Sequence, residues 1–548
     1  MTQVSAAKEY GCGALLLDLL AREGVDQVFG IPGNHTVALY RDFADSGINH
    51  ITCRHEQGAA FMADGYARST GKPGVCVLIS GPGLLNAATA IAQAYADSVP
   101  MLVITGVART SDLGMARGTL HELPDQHATA ASFCRQAHTL LDPENLPELL
   151  ARAFALFASS RPGPVHIEIP LDLMDAPVTG PITPTGQCFP PGPDPAAITL
   201  ATQLLLQAER PLIVVGGGAR DAGDAVTRLA EVLDAPVLNT VNGKGVCAWG
   251  HPLSVGGSPS LPCLNRALAE ADRVIAIGTE LAETDYDLLM ADGLPDTSRW
   301  IRMDMDPAQL LIPSTPELAI TTDARLGCAA LSASLAASAA AEKHRNGAER
   351  AEQLRQAVLN ETHYHPEVAA FFDTLHSAAD DLILVGDSTR PTYYAAWQYE
   401  CTHPGRYFHS VSGFGTLGYA LPAAFGAAAA GCGPVVALIG DGGIQFTLPE
   451  LTTGAEAGLA VPVIVWNNRG YAEIENSMLA QGVPVESTQI LTPDFQQAAA
   501  AHHCHYLRPR SLPELLTGLQ TALSASAPTL IEIVEEDFLS TPSGGWYQ

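Results

Sequence analysis

A chain of 548 residues with 29 Lys and Arg against 58 Asp and Glu, a formal net charge of −29, is a poor partner for nucleic acid or an anionic membrane surface. Its hydrophobic fraction of 47% contains no run long enough to span a bilayer, so it reads as soluble and globular, and its length predicts about three domains. Eleven cysteines, odd in number and without a C-x-x-C pair, fit a reducing compartment and predict a cytoplasmic protein.

The N-terminal stretch lacks a basic leader segment and flows into an amphipathic helical pattern. From Val28 onward, apolar strands (VFGI, ITC, VCVLI, MLVIT, VHIEI) alternate with helices, the signature of a doubly wound α/β layer. The loop Gly30-Ile-Pro32-Gly-Asn-His35 is, by itself, a βα turn. Glu56, in ITCRHEQGAAFMADGYAR, falls in the first turn of a helix whose Ala59, Ala60, Ala63 and Gly65 allow close packing. Its carboxylate either compensates the helix dipole or is buried, and a buried carboxylate needs a partner or a raised pKa. Ser80-Gly-Pro-Gly-Leu-Leu-Asn86 is a second strand-to-helix loop, and Gln126, next to Asp125, is either a helix cap or a pocket residue.

After Asp175 the segment APVTGPITPTGQCFPPGPDP reads as a linker, which bounds a first domain at 1–180 and a central one at 190–345. The central domain opens with PLIVVGGGARDAGDAVTRLAEVL, but GGGA lacks the spacing and the acidic residue of a dinucleotide fingerprint. No bound nucleotide, flavin included, is expected there. An alanine-rich stretch from Ala329 to Ala351 reads as a helical connector to a third domain at 360–548.

In that third domain the strand LILVG runs into Asp387-Ser388-Thr389, whose hydroxyls suit either phosphate oxygens or a helix cap. In the glycine-rich loop from Ser412 to Pro422, Leu417 is either core or a positioned wedge. The densest signal is VVALIGDGGIQFTLPELTTGAEAGLAVPVIVWNNRGYAEI. A buried strand breaks at Gly440-Asp441-Gly442-Gly443 and gives way to a helix carrying Leu448 to Ala457, so backbone N–H groups and a helix dipole face an anion. Asp441 in such a cradle calls for a cation between it and a phosphate, and Asn467 and Asn468, at the next parallel strand end, are placed to complete an oxygen shell around Mg²⁺ or Ca²⁺.

The pairing of GDGG with NN resembles the thiamine diphosphate (ThDP) signature of the enzymes related to pyruvate decarboxylase, acetolactate synthase and benzaldehyde lyase. The resemblance covers nearly the whole chain and implies three doubly wound parallel-sheet α/β domains: pyrimidine-binding, middle and diphosphate-binding. It implies that Asp441, Asn468 and the main-chain carbonyl of Gly470 hold the metal, and that Glu56 hydrogen-bonds the aminopyrimidine. It also implies that the Gly415 carbonyl and Leu417 support the pyrimidine, and that Pro32, Asn86, Asp387, Ser388, Thr389, Gly442, Gly443 and Tyr471 line the cofactor. His35 and Gln126 become pocket residues facing a substrate carbonyl. Because Glu56 and Asp441 come from different domains, the resemblance implies a site shared between subunits, in a homodimer at least and commonly a homotetramer.

The chemistry implied is attack of the cofactor ylide on a 2-oxo acid, loss of CO₂ and an enamine that is protonated to an aldehyde or attacks a second carbonyl. GIPGNHTVALYRD, GTLHELPDQ, GDSTRPTYY and NNRGYAEI resemble the 2-ketoarginine (5-guanidino-2-oxopentanoate) decarboxylases more than acetolactate synthases. Decarboxylation of a long-chain 2-oxo acid is therefore the first reading, with Glu473 either meeting a guanidinium or facing solvent. A carboligase or lyase acting on 2-hydroxyketones is the alternative. A silent ThDP-fold subunit and a flavin or nicotinamide oxidoreductase are rivals from other classes. The tail residues Trp546 and Tyr547 are expected to close over the site or pack on a neighbour.

Overall fold

The computed structural model describes residues 10–178, 188–286, 296–338, 344–362 and 366–538; the expectations for Trp546 and Tyr547 lie outside them. The chain builds three parallel sheets. In the first, the spatial order is Asn49–Thr52, Gln27–Gly30, Gly74–Leu78, Met101–Val107, Pro164–Pro170, Gln136–Thr139, with every neighbouring pair parallel. The central strands are buried along their whole length, which is why they read as unbroken apolar runs. Gln136–Thr139 escaped the sequence reading because, as a half-buried edge strand, it carries polar residues.

The third sheet runs Tyr407–His409, Ile383–Gly386, Val435–Gly440, Pro462–Asn467, Thr529–Val534, His505–Leu507, again all parallel. Counted within each domain, both sheets have strand order 2-1-3-4-6-5. In both, the helix after the second strand packs on its counterpart: Glu56–Thr70 lies against Ala420–Ala429. The approach is backbone to backbone. A Cβ at Gly65 would collide with the carbonyl of Ala423, and one at Gly426 with the carbonyl of Met62, so the contact is reciprocal and glycine is required on both sides.

The middle sheet orders Val237–Asn239, Pro211–Val215, Arg273–Ile277, Trp300–Asp304, Leu318–Thr321. Its Gly216 to Gly218 loop is filled by chain: Cβ atoms there would strike Gly278, Thr279 or Asn242. Two boundaries differ from the sequence reading. Helix Ala324–Ala336 is no connector, since Cys328, Leu331 and Leu335 sit in the middle core. Helix Gly347–Glu361, beyond the expected limit of 345, packs Ala351 and Val358 on Leu264 and Leu268 of the same domain.

A buried ionic chain joins the domains. Arg68 donates from Nε to Asp64 and from Nη2 to Asp97, with Nη1 donating to Asn242 of the middle domain, while the Tyr419 hydroxyl donates to Asp64. One guanidinium thus neutralises two carboxylates that burial would otherwise make costly.

Candidate active site

Because both outer sheets are parallel, the residues following their strands gather at one edge of each. At the first sheet, Glu56 opens its helix at 8% exposure and accepts from Asn86 Nδ2 at 2.9 Å. The start of that helix is fixed by a residue that sequence reasoning passed over. Glu450, fully buried in the third domain, accepts from the backbone N–H of Arg54 (3.1 Å) and His55 (2.8 Å) and from Thr453 Oγ1 (2.6 Å). Gly58 leaves room for it, since a Cβ there would overlap the Glu450 side chain. Burial raises the Glu450 pKa against those donors.

His35 is buried, with Nδ1 hydrogen-bonded to Ser80 Oγ and its ring edge-on to His121 at 4.9 Å between centroids. Burial and then His121 lower its pKa, which keeps the ring neutral at neutral pH. Next to it is a cavity of ≈ 200 Å³ lined by Ser80, His121, Gln126 and Glu168 among others. Gln126 neither faces that space with a spare amide nor caps its helix, a role Asp125 takes. Its Oε1 accepts from Gly81 N (2.8 Å) and its Nε2 donates to Thr105 Oγ1, Gly106 O and Glu168 Oε2. It braces the Ser80–Gly83 loop. Pro32 is exposed at the tip of its loop.

At the third sheet, Asp441 is 1% exposed, and its Oδ2 has no hydrogen-bond partner among the described residues. Burial pushes its pKa up to about 6 against neighbouring backbone N–H groups that favour the charged form. The Asn468 amide lies 3.2 Å from Asp441 Oδ1 and 2.9 Å from the Gly470 carbonyl. With the amide oxygen inward, three oxygens converge with no hydrogen between them, the set a hard cation selects; with the amide turned over, the same atoms make two hydrogen bonds. An orphaned buried carboxylate oxygen and an all-oxygen cluster fit Mg²⁺ or Ca²⁺. Among the described residues, no group of three His, Cys, Asp or Glu is arranged to hold a metal. The Tyr471 ring covers Gly442, where a Cβ would lie 2.6 Å from it.

Asp441 is followed by the 3₁₀ turn Gly443–Phe446 and only then by helix Glu450–Glu456, so the expected helix from Leu448 to Ala457 is shorter and starts later. Asp387 turns inward: its oxygens accept from the backbone of Ser388, Gly418 and Ala420, and burial pushes it up to about 6. It therefore shapes the Gly418–Ala420 turn, leaving half-buried Ser388 and buried Thr389 nearer the strand edge. Gly415 is exposed at φ +73°, Leu417 is half-buried, and Phe414 and Phe446 beside them are more than half exposed. Glu473 does meet a guanidinium, but an internal one. Its Oε1 accepts from Arg390 Nε at 2.7 Å, and buried Arg390 also binds Glu535 at 2.8 Å.

The two half-sites of one chain do not face each other. Glu56 and Asn86 lie at the N-terminal ends of helices Glu56–Thr70 and Pro82–Ala96, whereas the loop bearing Gly415 packs on Gln93 and Asp97 at the C-terminal end. Seven residues of helix from Asn86 to Gln93 span about 10 Å, and twelve from Glu56 to Arg68, which holds Asp97, about 18 Å. Large apolar side chains are exposed beside each half: Leu85 and Leu120 on the first domain, Phe414 and Phe446 on the third.

Two α/β domains of one topology, one offering a buried glutamate and the other an oxygen cluster above a glycine turn, fit the class of enzymes that take a phosphorylated cofactor. The chain belongs to the thiamine pyrophosphate enzymes: the N-terminal TPP-binding, central and C-terminal TPP-binding domain families match residues 12–129, 198–331 and 387–533. It is 42% identical over 541 residues to the probable 2-ketoarginine decarboxylase AruI of Pseudomonas aeruginosa, covering 96% of this chain and 94% of that one. It is 32% identical to the acetolactate synthase of Arthrospira platensis (97% and 95% covered) and 30% to the probable acetolactate synthase large subunit of Methanocaldococcus jannaschii (97% and 93%). The chain is therefore a ThDP-dependent enzyme of the decarboxylase and carboligase kind. No helix among the described residues is long and apolar enough to cross a membrane.

Proposed function

We propose that this chain decarboxylates a 2-oxo acid with a long side chain, 2-ketoarginine or a close analogue, using ThDP and Mg²⁺, as a cytoplasmic homodimer or dimer of dimers. The observation that carries the choice of reaction is the 42% identity, along 96% of the chain, to a probable 2-ketoarginine decarboxylase. When bound, ThDP supplies the electron sink for the departing CO₂. Asp441, Asn468 and the Gly470 carbonyl hold the cation that anchors its diphosphate near Gly442, Gly443, Ser388 and Thr389. Glu56, steadied by Asn86, holds and moves a proton at the cofactor's ring, and the Gly415 carbonyl and Leu417 fix that ring's attitude. Neutral His35, oriented by Ser80, hydrogen-bonds the substrate's carbonyl oxygen. The opposed ends of the two half-sites and the exposed apolar residues beside them support completion of each site by a second chain.

The test is CO₂ release from 2-ketoarginine, pyruvate and benzoylformate with ThDP and Mg²⁺, with product analysis. The expected result is fastest release from 2-ketoarginine, with an aldehyde one carbon shorter. A coupled hydroxyketone as main product would favour the second reading, a carboligase, which the similarity to acetolactate synthases supports. No release from any acid overturns the proposal.

A further inference from the structure

The loop Ser412–Leu417 contains Gly413 and Gly415, both at positive φ (+75° and +73°), and Phe414 is exposed; from its own segment Ser410 Oγ donates to the Thr416 carbonyl at 2.7 Å, which leaves the Ser412 carbonyl and the Thr416 N–H and hydroxyl to be met from elsewhere. What crosses it is a side chain from another domain. Gln93, fully buried in helix Pro82–Ala96, donates from Nε2 to the Ser412 carbonyl (3.3 Å). Its Oε1 accepts from Thr416 N (3.4 Å) and from Thr416 Oγ1 (3.2 Å). One amide therefore joins both ends of a five-residue turn, as a rung of a ladder would. Its orientation is fixed from behind, because Nε2 also donates to Asp97 Oδ2 at 2.7 Å and Asp97 is held by Arg68. With Oε1 taking the Thr416 donors and Nε2 facing two acceptors, the amide has one sensible orientation.

We infer that Gln93 is a positioning residue for the cofactor: it clasps the Ser412–Thr416 turn and so sets where the Gly415 carbonyl and Leu417 stand. This rests on the reading of that loop as the pyrimidine support. The same helix carries Asn86 seven residues earlier, so one rod fixes the chain's Glu56 at one end and its Gly415 loop at the other. A shorter side chain cannot reach both Ser412 and Thr416, and an apolar one removes the partner of three loop groups, the Ser412 carbonyl and the Thr416 N–H and hydroxyl.

The experiment compares Gln93→Leu and Gln93→Asn with Gln27→Leu, which alters a buried amide whose side-chain hydrogen bonds among the described residues go to the Val28 and Asn49 carbonyls. Hydrogen exchange of the amides of residues 412–416 is followed in the cofactor-free enzyme, and ThDP affinity is read by quenching of intrinsic fluorescence with MgCl₂ present. Faster exchange confined to that turn, with ThDP affinity down about tenfold in both Gln93 variants and unchanged in Gln27→Leu, is expected. Unchanged exchange in the Gln93 variants, or equal losses in Gln27→Leu, overturns the inference. Faster exchange with unchanged ThDP affinity leaves the clasp but refutes its role toward the cofactor. Failure of the unaltered enzyme to bind ThDP at all would instead sink the functional reading.

Discussion

Two singly defective chains should repair each other. Glu56→Gln removes the carboxylate at the ring end of the site, and Asp441→Ala removes a cation ligand at the other end. Glu56 must come within about 3 Å of a ring that also rests on the Gly415 loop, yet within one chain the two lie at opposite ends of two helices, about 10 to 18 Å apart. If sites form between chains, a mixed pair has one site carrying both defects and one carrying neither. Each purified mixed dimer then retains about half of normal turnover, and random assembly of equal amounts retains about one quarter. Co-expression with different affinity tags, tandem purification and CO₂ release from 2-ketoarginine give the measurement, with each altered homodimer as its blank. A mixture no more active than its better parent would refute the argument, because a site completed within one chain leaves every copy defective.

Three other outcomes follow from buried groups. Asp285 is buried, its Oδ1 lacks a partner among the described residues, and burial with Asp97 and Glu280 nearby pushes its pKa up to about 7. A carboxyl raised in the folded state stabilises at low pH and loses that contribution as pH rises toward 7. Asp285→Asn should therefore raise the melting temperature at pH 8, by on the order of a few kcal/mol of stability, and change it little at pH 4; thermal unfolding at both pH values decides. Gly65→Ala, which drives a methyl into the Ala423 carbonyl, should cost about 1–3 kcal/mol or more in urea unfolding, and an undiminished midpoint would contradict the helix contact. Glu473→Gln should leave the preference for charged over uncharged 2-oxo acids unchanged, since its carboxylate is engaged by Arg390, while lowering stability by about 1 kcal/mol; a collapse of that preference in a substrate panel would return Glu473 to the substrate.

What was legible in the sequence is what local pattern encodes. Fully buried strands appear as unbroken apolar runs and loops at their ends as glycine clusters, so Val435–Gly440 and the turn at Asp441 stood out. Edge strands and amphipathic helices were harder: Gln136–Thr139 is polar at all but Ala137, and the stripe Ala351, Val358 is hidden in a charged, alanine-rich helix. Polar side chains were the least legible, because their partners are distant in sequence. Glu450 meets Arg54 and His55 across more than 390 positions, and Gln93 meets Thr416 across 323. Gln126 and Glu473 were noticed, but their companions Gly81, Glu168 and Arg390 could not be read from spacing.

The reciprocal contact of Gly65 on Ala423 and Gly426 on Met62 joins two domains of identical strand order through equivalent helices. A single chain thus already contains a pair resembling a symmetric dimer, and the self-complementary helix face is consumed internally. The dimer proposed above would then draw on a different surface, where Leu85, Leu120, Phe414 and Phe446 stand exposed. If the chain assembles as proposed, folding and assembly are separately addressable: changes at the glycines should lower the stability of the chain itself, and polar replacements at the exposed aromatics should produce well-folded monomers with two incomplete halves.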